Sequence, residues 1–287
     1  MNNIKLSVVI PSYKDKYLKN TINDLLEKSE LGDQLEIIPV LDGYWVKPED
    51  IVDDKRVKYL HLGGNRGMRG AINAGVLVSS GEYLMRVDEH QMFDKGYDRK
   101  ILENIEDNWI VTPRRYCLDV EKWEVMNEIP PVDYAIIKIG KVGKNKDFED
   151  HPEENPYIEK FSGVGWDRPS RKDIMIDETF AMQGSCWFMK RSWWDKVIGE
   201  LQTEGYGPLY QDSHEMVFKT WKAGGKLMVN KTTWHAHKHR KFPRTHSNGT
   251  KENPSNNEQC FKYSLNLWRD YFEKEIAPRQ EKLINDK

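Results

Sequence analysis

Leu6-Ser-Val-Val-Ile-Pro11 is a short β-branched run that ends at a proline, as a buried parallel strand does. Apolar residues then recur at helical spacing over Asp15–Lys28. A second strand-like run, Leu35 to Leu41, stops at the turn residues Asp42-Gly43. This strand–helix–strand order favours a parallel α/β sheet, in which ligands bind at the carboxyl ends of the strands.

Three further elements extend the alternation: a strand over Val57–Leu62, a helix of small residues over Gly67–Val78 and a strand over Glu82–Val87. The last of these strands runs into Asp88, as the second strand runs into Asp42. Because the carboxyl ends of parallel strands share one edge of the sheet, we expect Asp42 and Asp88 to lie at a common site.

The second half of the chain has a weaker pattern. Prolines and glycines interrupt the periodicity of residues 116–175, which we expect to form an irregular insertion with one hairpin. Farther along, the spacing of apolar residues predicts a helix over Ser213–Ala223, a short strand over Leu227–Val229 and a C-terminal helix over Cys260–Phe272.

The composition narrows the function classes. The chain has 287 residues and a net charge of −2, so it lacks the overall basic field of a non-specific nucleic-acid binder. Its three cysteines are scattered without Cys-x-x-Cys spacing, which argues against a disulfide framework or a zinc knuckle and favours a cytoplasmic location. We expect neither a signal peptide nor a membrane span, because no run approaches the roughly 20 apolar residues of a membrane helix.

The tripeptide Asp88-Glu-His90 is the most specific chemical signal. Side chains two residues apart on an extended segment point the same way, so Asp88 and His90 are able to face one divalent cation. A carboxylate together with an imidazole suits Mn²⁺ better than Mg²⁺, which prefers oxygen ligands. A solvated loop without a metal is the alternative interpretation of such a triplet.

A histidine-rich segment, Trp234-His-Ala-His-Lys-His-Arg240, offers a third ligand. Its histidines, His235, His237 and His239, alternate and therefore share one face of an extended strand. The cations of this region, Arg240 among them, are suited to hold a leaving diphosphate. A flexible basic segment that is rich in histidine is the alternative.

A third motif, Tyr210-Gln-Asp-Ser-His-Glu215, leads into the predicted helix at Ser213. Asp212 and Glu215 are candidates for contacts with substrate hydroxyls or for a general base. Capping of the helix by Asp212 or Ser213 is the structural alternative. Neither a Walker loop nor a Gly-x-Gly-x-x-Gly fingerprint follows the first strand, which disfavours a kinase or a dehydrogenase.

These segments resemble glycosyltransferase family 2 enzymes of the GT-A fold. The resemblance rests on motifs in collinear order: Val8-Val-Ile-Pro-Ser-Tyr13, Leu41-Asp-Gly43, Asn65-Arg-Gly67, Ala71-x-Asn73-x-Gly75 and Gly81-Glu-Tyr83 before Asp88. Within the family, the second half is similar to polypeptide N-acetylgalactosaminyltransferases, which carry Asp-x-His where most members carry Asp-x-Asp. The segments with this likeness are Met182–Trp194, Asp212–Trp221, His237–Arg240 and Leu267–Phe272.

The resemblance implies an α/β fold with a mixed, mainly parallel sheet flanked by helices, an irregular central insertion and a C-terminal helix. It divides the chain into a GT-A glycosyltransferase domain over 1–250 and a C-terminal helical extension over 251–287. The domain itself has three implied parts, namely a nucleotide-binding half over 1–115, the insertion over 116–175 and a half for acceptor and sugar over 176–250.

The same resemblance implies the functional residues. A metal, Mn²⁺ or Mg²⁺, would be held by Asp88, His90 and His237, with His235 or His239 as replacements for His237. The nucleotide-sugar contacts are Pro11, Tyr13, Asp42, Asn65, Gly67, Asp88, Gly184 and Trp187. The catalytic candidates are Asp212, Glu215 and Arg240, with Arg240 near the diphosphate and a mobile lid over residues 240–250.

The expected reaction transfers a sugar from a nucleotide diphosphate sugar, with UDP as the expected nucleotide, to an acceptor hydroxyl. Glycans, lipid-linked sugars, proteins and modified nucleobases are candidate acceptors. Because Gln183-Gly-Ser185 stands where the resembling enzymes have Ala-Gly-Gly, the transferred sugar is open, as is the oligomeric state.

Inverting members of family 2 usually carry an aspartate base where this sequence has Ser213, so retention of configuration is favoured. A shift of the alignment by one residue would instead make Asp212 the base of an inverting enzyme. A non-catalytic protein that binds a nucleotide sugar or a glycan, and a nucleotidyltransferase, are the rival hypotheses.

Overall fold

The computed structural model describes residues 3–143, 157–238 and 258–285. Its strands run over Leu6–Ser12 (β1), Leu35–Asp42 (β2), Leu60–Leu62 (β3), Tyr83–Val87 (β4), Gln91–Phe93 (β5), Trp109–Asp119 (β6), Glu124–Val125 (β7), Tyr134–Gly143 (β8), Tyr157–Trp166 (β9), Ile176–Glu178 (β10), Cys186–Lys190 (β11) and Lys226–His237 (β12). Its helices run over Leu18–Lys28 (α1), Gly67–Val78 (α2), Tyr97–Leu102 (α3), Arg191–Trp193 (α4), Asp212–Lys222 (α5), Glu258–Tyr271 (α6) and Ala277–Asn285 (α7). Within these ranges no helix has the length and apolarity to cross a bilayer.

The central sheet has the strand order β10-β12-β6-β11-β4-β1-β2-β3, and β5 pairs with β12. Strands β3, β2, β1 and β4 are parallel to one another, and β6 is parallel to β12. Strand β11 lies between β4 and β6 and is antiparallel to both. The sheet is therefore mixed, with a wholly parallel N-terminal part, as the resemblance implies.

Both faces of strand β1 are covered, which explains its continuous apolar sequence. All of its residues are buried. Leu6, Val8 and Ile10 pack in one hydrophobic cluster with residues of α1, whereas Val9 packs in a second cluster with residues of α2. The alternation places one core on each side of the sheet and leaves the strand ends as the accessible edge.

The described part of the central insertion contains the predicted hairpin, and β7 also pairs antiparallel with the end of β6. Strands β8 and β9 pair antiparallel from Tyr134 opposite Trp166 to Gly143 opposite Tyr157. The hairpin is joined to α7, because the side-chain amide of Gln280 accepts from Ile137 N at 2.9 Å and donates to Ile137 O at 3.0 Å. The hairpin therefore packs against the C-terminal helices rather than extending into solvent.

Two elements of the second half differ from the sequence prediction. Strand β12 continues beyond Val229 to His237. Within this extension Lys231 is buried, and its ammonium group donates to the carbonyl oxygens of Arg171 at 2.7 Å and Lys172 at 3.1 Å. The polar residues of this segment therefore obscured a buried strand in the sequence pattern. Helix α5 begins at Asp212 rather than Ser213, and no side chain caps it, because Gln211 before it has φ of 54°.

Candidate functional site

The loops after β1, β2 and β4 meet at one edge of the sheet. The backbone N–H of Tyr13 donates to Oε1 of Glu89 at 3.0 Å, which joins the end of β1 to the end of β4. The hydroxyl groups of Ser12 and Tyr44 hydrogen-bond each other and join β1 to the segment after β2. These contacts bring residues from three separate parts of the sequence to one site.

Strand β12 delivers His237 to this edge. His237 pairs with Gln91 of β5, and the N–H of Lys238 donates to the carbonyl oxygen of His90 at 3.3 Å. Asp88, His90 and His237 each offer one ligand atom, and these atoms all lie within 4.8 Å of one another. In the described part of the chain, this is the cluster of such side chains that could hold a metal ion.

The two histidines of the cluster lie close to each other and to carboxylates. Their ring centroids are 5.0 Å apart, and Nε2 of His237 lies 3.0 Å from Oδ2 of Asp88. Nδ1 of His90 lies 3.1 Å from Oδ2 of Asp15. A carboxylate on the outer nitrogen of a ligating histidine fixes the ring and its tautomer, so Nε2 of His90 is the nitrogen that we assign to a metal.

Arg86 is the charged neighbour of the candidate metal ligand Asp88. Nη2 of Arg86 donates to Oδ1 of Asp88 at 2.5 Å, and the arginine side chain is almost completely buried. Burial on its own would raise the pKa of Asp88, but Arg86, His237 and His90 together hold that pKa well below its usual range. Asp88 is therefore an anion at every physiological pH, as a metal ligand must be.

The other two histidines of the segment differ in what the structure shows of them. His235 is completely buried and pairs with Arg115 in the β12–β6 register, and it is not among the side chains whose ligand atoms cluster with Asp88 and His90. His239 lies outside the described residues. His237 is thus the histidine of this segment that the structure brings to the cluster.

Asp42 joins the end of β2 to the start of α2. Its two carboxylate oxygens accept from the backbone N–H groups of Arg66 at 2.6 Å and Gly67 at 2.8 Å, and Asn65 donates to its carbonyl oxygen at 3.4 Å. Burial, opposed by these hydrogen bonds, raises the pKa of Asp42. These hydrogen bonds join Asp42 at the end of β2 to the loop that carries Asn65 and Gly67 at the start of α2.

Gly67 requires the absence of a side chain. Its φ is +73°, and an added Cβ would lie 2.4 Å from Cβ of Pro208.

Pro11 is buried within β1, and Tyr13 beyond it is half-buried, with its ring 6.1 Å from that of Tyr44. Of the candidate nucleotide contacts near β1 and β2, Tyr13 and Asn65 have the most accessible side chains.

The loop before β11 is tied directly to the metal cluster. The carbonyl oxygen of Gly184 accepts from Nη1 of Arg86, and that of Ser185 accepts from the N–H of Asp88 at 3.1 Å. On its other side, Gly184 adjoins α5, since an added Cβ would lie 3.4 Å from Cβ of Ser213. Gly184 thus lies between the metal ligands and the start of α5.

Helix α5 presents one of its two candidate catalytic carboxylates. Asp212 begins the helix and is largely buried, beside the left-handed residues Tyr210 and Gln211. Glu215 is 1% exposed, its carboxylate is paired with Nη1 of Arg69, and Nζ of Lys219 lies 2.7 Å from it. These two ion pairs favour a structural role for Glu215, and its catalytic role stays a prediction.

Trp187 is likewise a core residue in the structure. Its side chain is completely buried and stacks on Trp194, with ring centroids 5.9 Å apart. This enclosure favours a core role for the ring, and the contact of Trp187 with the nucleotide sugar stays a prediction. Trp193, Trp194 and Trp221 are also buried.

Arg240 and the proposed lid over residues 240–250 lie outside the described residues. Their predicted roles therefore stay predictions.

Sequence reasoning missed three residues that organise the site: Asp15, Arg69 and Arg86. Two of them carry a signal that could have been used. Arg86 precedes Asp88 by two residues on a strand, so its side chain shares the face of Asp88. Asp15 follows the carboxyl end of β1, where residues from neighbouring strands meet. Arg69, in the first turn of a helix of small residues, gives no such signal.

The family of the chain follows from a sequence comparison. The model of the family described as Glycosyl transferase family 2 matches residues 7–198, well over half of the chain. The chain belongs to glycosyl transferase family 2. The matched range includes Asp88 and His90, and it ends before α5 and His237, so those parts of the site are contributed by sequence outside the family match.

Two curated relatives match parts of this family 2 chain. Dolichyl-phosphate beta-glucosyltransferase of Dictyostelium discoideum is 32% identical over 127 residues, with 38% of this chain and 38% of the relative covered. Glycosyltransferase GlyG of Streptococcus pneumoniae is 30% identical over 108 residues, with 36% of this chain and 35% of the relative covered. The chain thus spans little more than a third of the length of either relative.

Solved structures extend the similarity over the whole fold. A crystal structure of GalNAc-T7 with UDP, GalNAc and Mn²⁺ covers 99% of this chain and 54% of its own, with a TM-score of 0.69 and 16% identity. The structure of TarS from S. aureus covers 82% of this chain and 37% of its own, with a TM-score of 0.52 and 14% identity. At these identities the likeness establishes the GT-A fold of this family 2 chain.

Proposed function

We propose that the protein transfers a sugar from a nucleotide diphosphate sugar, with a UDP-sugar as donor, to an acceptor hydroxyl, and that a divalent cation is required. The observation that carries the proposal is the convergence of Asp88, His90 and His237 at the carboxyl edge of the sheet. Membership in family 2 gives the reaction class, and the GT-A fold gives the expected place of the donor.

The chemistry of the ligand set supports a borderline transition metal. One carboxylate and two imidazoles suit Mn²⁺, whereas Mg²⁺ prefers oxygen ligands and water. When bound there, a divalent cation would neutralise negative charge on a leaving diphosphate. The structural neighbour whose published structure contains UDP, GalNAc and Mn²⁺ supports both the metal and the nucleotide for this chain.

The residues around the cluster have distinct roles in this proposal. Asp15 fixes the tautomer of His90, and Arg86 orients Asp88 while it also holds the carbonyl oxygen of Gly184. The loop at Gly184 and the start of α5 at Asp212 then bound the space beside the metal ligands, where we place the donor sugar. Arg240 is proposed to stabilise the diphosphate.

Retention of configuration is the stereochemical outcome that we propose. Glu215 is neutralised by Arg69 and Lys219, and Ser213 is unable to deprotonate a hydroxyl. The proton of the acceptor hydroxyl then goes to an oxygen of the leaving phosphate. The anomer of the first product, measured by NMR, tests this directly: an inverted anomer would assign Asp212 as the base.

The decisive experiment measures release of nucleoside diphosphate from a panel of UDP- and GDP-sugars with Mn²⁺ present. We expect one donor to be turned over by the wild type, and turnover to be lost in Asp88→Asn and with a chelator. Asp107→Asn is the matched control, because Asp107 is exposed and pairs only with Lys190 at 2.7 Å among the described residues.

Two results would contradict the proposed function. If none of the nucleotide sugars binds, measured directly by calorimetry with and without Mn²⁺, the proposed function is wrong. If a nucleotide sugar binds but the panel of acceptors and water yields no turnover, the protein is a binding protein of the same fold.

A further inference from the structure

A cavity lies between the hairpin β8–β9, Arg115 of β6, the loop before β11 and the start of α5. Its volume is about 230 Å³, and most of its lining is apolar or glycine. The polar side chains that line it are Arg115, Gln183, Ser213 and His214, and none of the described lining residues is acidic.

The position of Arg115 follows from the register of two parallel strands. Arg115 of β6 pairs with His235 of β12, and Cys117 pairs with His237. Paired residues project from the same face of a sheet, and residues two apart along a strand do so as well. Arg115 therefore shares the face of the candidate metal ligand His237, displaced by roughly 7 Å along the strand.

Arg115 differs from its neighbour Arg114 in its partners. Arg114 faces the other side of the sheet, where Nε and Nη2 donate to the two carboxylate oxygens of Asp133, each at 2.7 Å. Arg115 has no ion pair or side-chain hydrogen bond with the residues that the structure describes, although it is partly buried. Burial lowers the pKa of Arg115 from its usual value, but a guanidinium stays charged in proteins.

The surroundings add positive potential. Ser213 and His214 belong to the first turn of α5, whose N-terminus has the positive end of the helix dipole. Burial lowers the pKa of His214 to about 4, so its ring is neutral at neutral pH and offers one N–H donor. Nδ1 of His214 is buried and has no hydrogen-bond partner among the described residues.

A partly buried cation without a counter-ion is costly to maintain, and it is paired in most proteins. Among the described residues the guanidinium is unpaired, the imidazole nitrogen has no partner and no lining residue is acidic. From these observations we propose that this cavity binds an anionic group of a substrate, a carboxylate or a phosphate, with Arg115 as its counter-ion. This proposal rests on the proposed function, which identifies that substrate as the donor sugar or the acceptor.

The site itself is tested by binding of inorganic phosphate in the presence of a chelator, at ionic strength held constant with chloride. The expected result is that Arg115→Gln weakens phosphate binding by about tenfold or more, as removal of a charge-assisted hydrogen bond does. Arg115→Lys should retain part of the affinity. Arg114→Gln, which removes the same charge one residue away, should leave it within about twofold of the wild type.

Equal phosphate affinities of the wild type and Arg115→Gln would overturn the proposal. Thermal unfolding of the three variants checks that each is folded. Because the chelator removes metal-mediated contacts, this measurement does not depend on glycosyl transfer. A protein that binds phosphate through Arg115 but binds no nucleotide sugar would refute the proposed function and leave the anion site standing.

Two substrate pairs then distinguish the sources of the anion. UDP-glucuronate is compared with UDP-glucose as donor, and glucose 6-phosphate with glucose as acceptor, in wild type and Arg115→Gln. A preference for the charged donor that the substitution removes assigns the carboxylate to the donor sugar. A preference for the charged acceptor that the substitution removes assigns the anion to the acceptor.

Discussion

Nδ1 of His90 lies 3.1 Å from Oδ2 of Asp15, although 75 residues separate the two in sequence. The contact places a second carboxylate behind the imidazole that we assign to the metal. When Nδ1–H of His90 donates to this carboxylate, Nε2 is left to face the cation and becomes more basic.

Removal of this carboxylate should weaken metal binding without removal of a ligand. We expect Asp15→Ala to raise the dissociation constant for Mn²⁺ by about 10- to 100-fold, the usual effect of a lost outer-shell partner. Asp15→Asn should lie between Asp15→Ala and the wild type, because an amide oxygen still accepts the hydrogen bond. Titration of Mn²⁺ by electron paramagnetic resonance measures the constant, with the exposed Asp53→Asn as control. Unchanged affinity in Asp15→Ala would exclude His90 as a ligand held in this way.

The buried pair of Arg69 and Glu215 should be essential for stability. The guanidinium also donates to the carbonyl oxygen of Tyr210, at 3.0 Å from Nε, and so holds the loop before α5. Arg69→Met should lower the free energy of unfolding by about 3–5 kcal/mol, because it leaves the Glu215 charge buried with only Lys219. Urea denaturation measures the loss.

The double substitution Arg69→Met/Glu215→Met separates the charge effect from packing. It should be more stable than Arg69→Met alone, since no buried charge is left uncompensated. If Glu215 is structural, Glu215→Gln should retain most of its turnover per folded molecule. Loss of turnover by a factor of a thousand with an intact fold would instead support a catalytic role for Glu215.

Two glycines in the left-handed region provide a matched comparison. Gly32 has φ of +56° with nothing near an added Cβ, whereas an added Cβ at Gly67 would meet Pro208 at 2.4 Å. Gly32→Ala should cost about 1–2 kcal/mol of the free energy of unfolding, for the backbone conformation alone. Gly67→Ala should cost about 2–4 kcal/mol, because overpacking adds to it. Chemical denaturation compares the two, and equal losses would mean that the loop at Pro208 yields freely.

The stability should depend on pH through His214. Burial lowers the pKa of its ring from 6.5 to about 4, so between these values the unfolded chain holds the proton and the folded chain does not. The free energy of unfolding contributed by this residue is therefore fully present above pH 6.5 and falls as the pH is lowered towards 4. The difference is on the order of 3 kcal/mol.

Comparison with His214→Gln isolates this contribution from those of other groups. Denaturation curves at several pH values between 4.5 and 7.5 should show a steeper loss in the wild type than in the variant. If the free energy of unfolding fell equally with pH in the wild type and the variant, the His214 ring would be solvated rather than buried at the cavity.

The N-terminal half of the fold was predictable because its periodicity is regular. The run from Leu6 to Pro11 and the helix over Gly67–Val78 have the patterns of a buried strand and a packed helix, and both form close to the expected bounds. The second half was less predictable, because the polar residue Lys231 lies in the interior and is compensated by carbonyl oxygens distant in sequence.

The site shows the same contrast. Asp88, His90 and His237 could be proposed from spacing and resemblance, and the structure brings these three together. That Glu215 is neutralised and that Trp187 is enclosed depend on Arg69 and Trp194, which lie in other segments. A sequence identifies the type of a side chain, but its accessibility is a property of the packing around it.

The ion pair of Arg86 with Asp88 has a consequence for how the protein responds to removal of its cation. The arginine compensates the aspartate charge whether or not a cation is present, so chelation should not drive the ligands apart by repulsion. Stripping with a chelator followed by addition of Mn²⁺ should therefore be fully reversible, with circular dichroism unchanged between the two states. A cation would then enter a preformed site in which Arg86 stays paired with Oδ1 of Asp88, leaving Oδ2 beside His237 to face the cation.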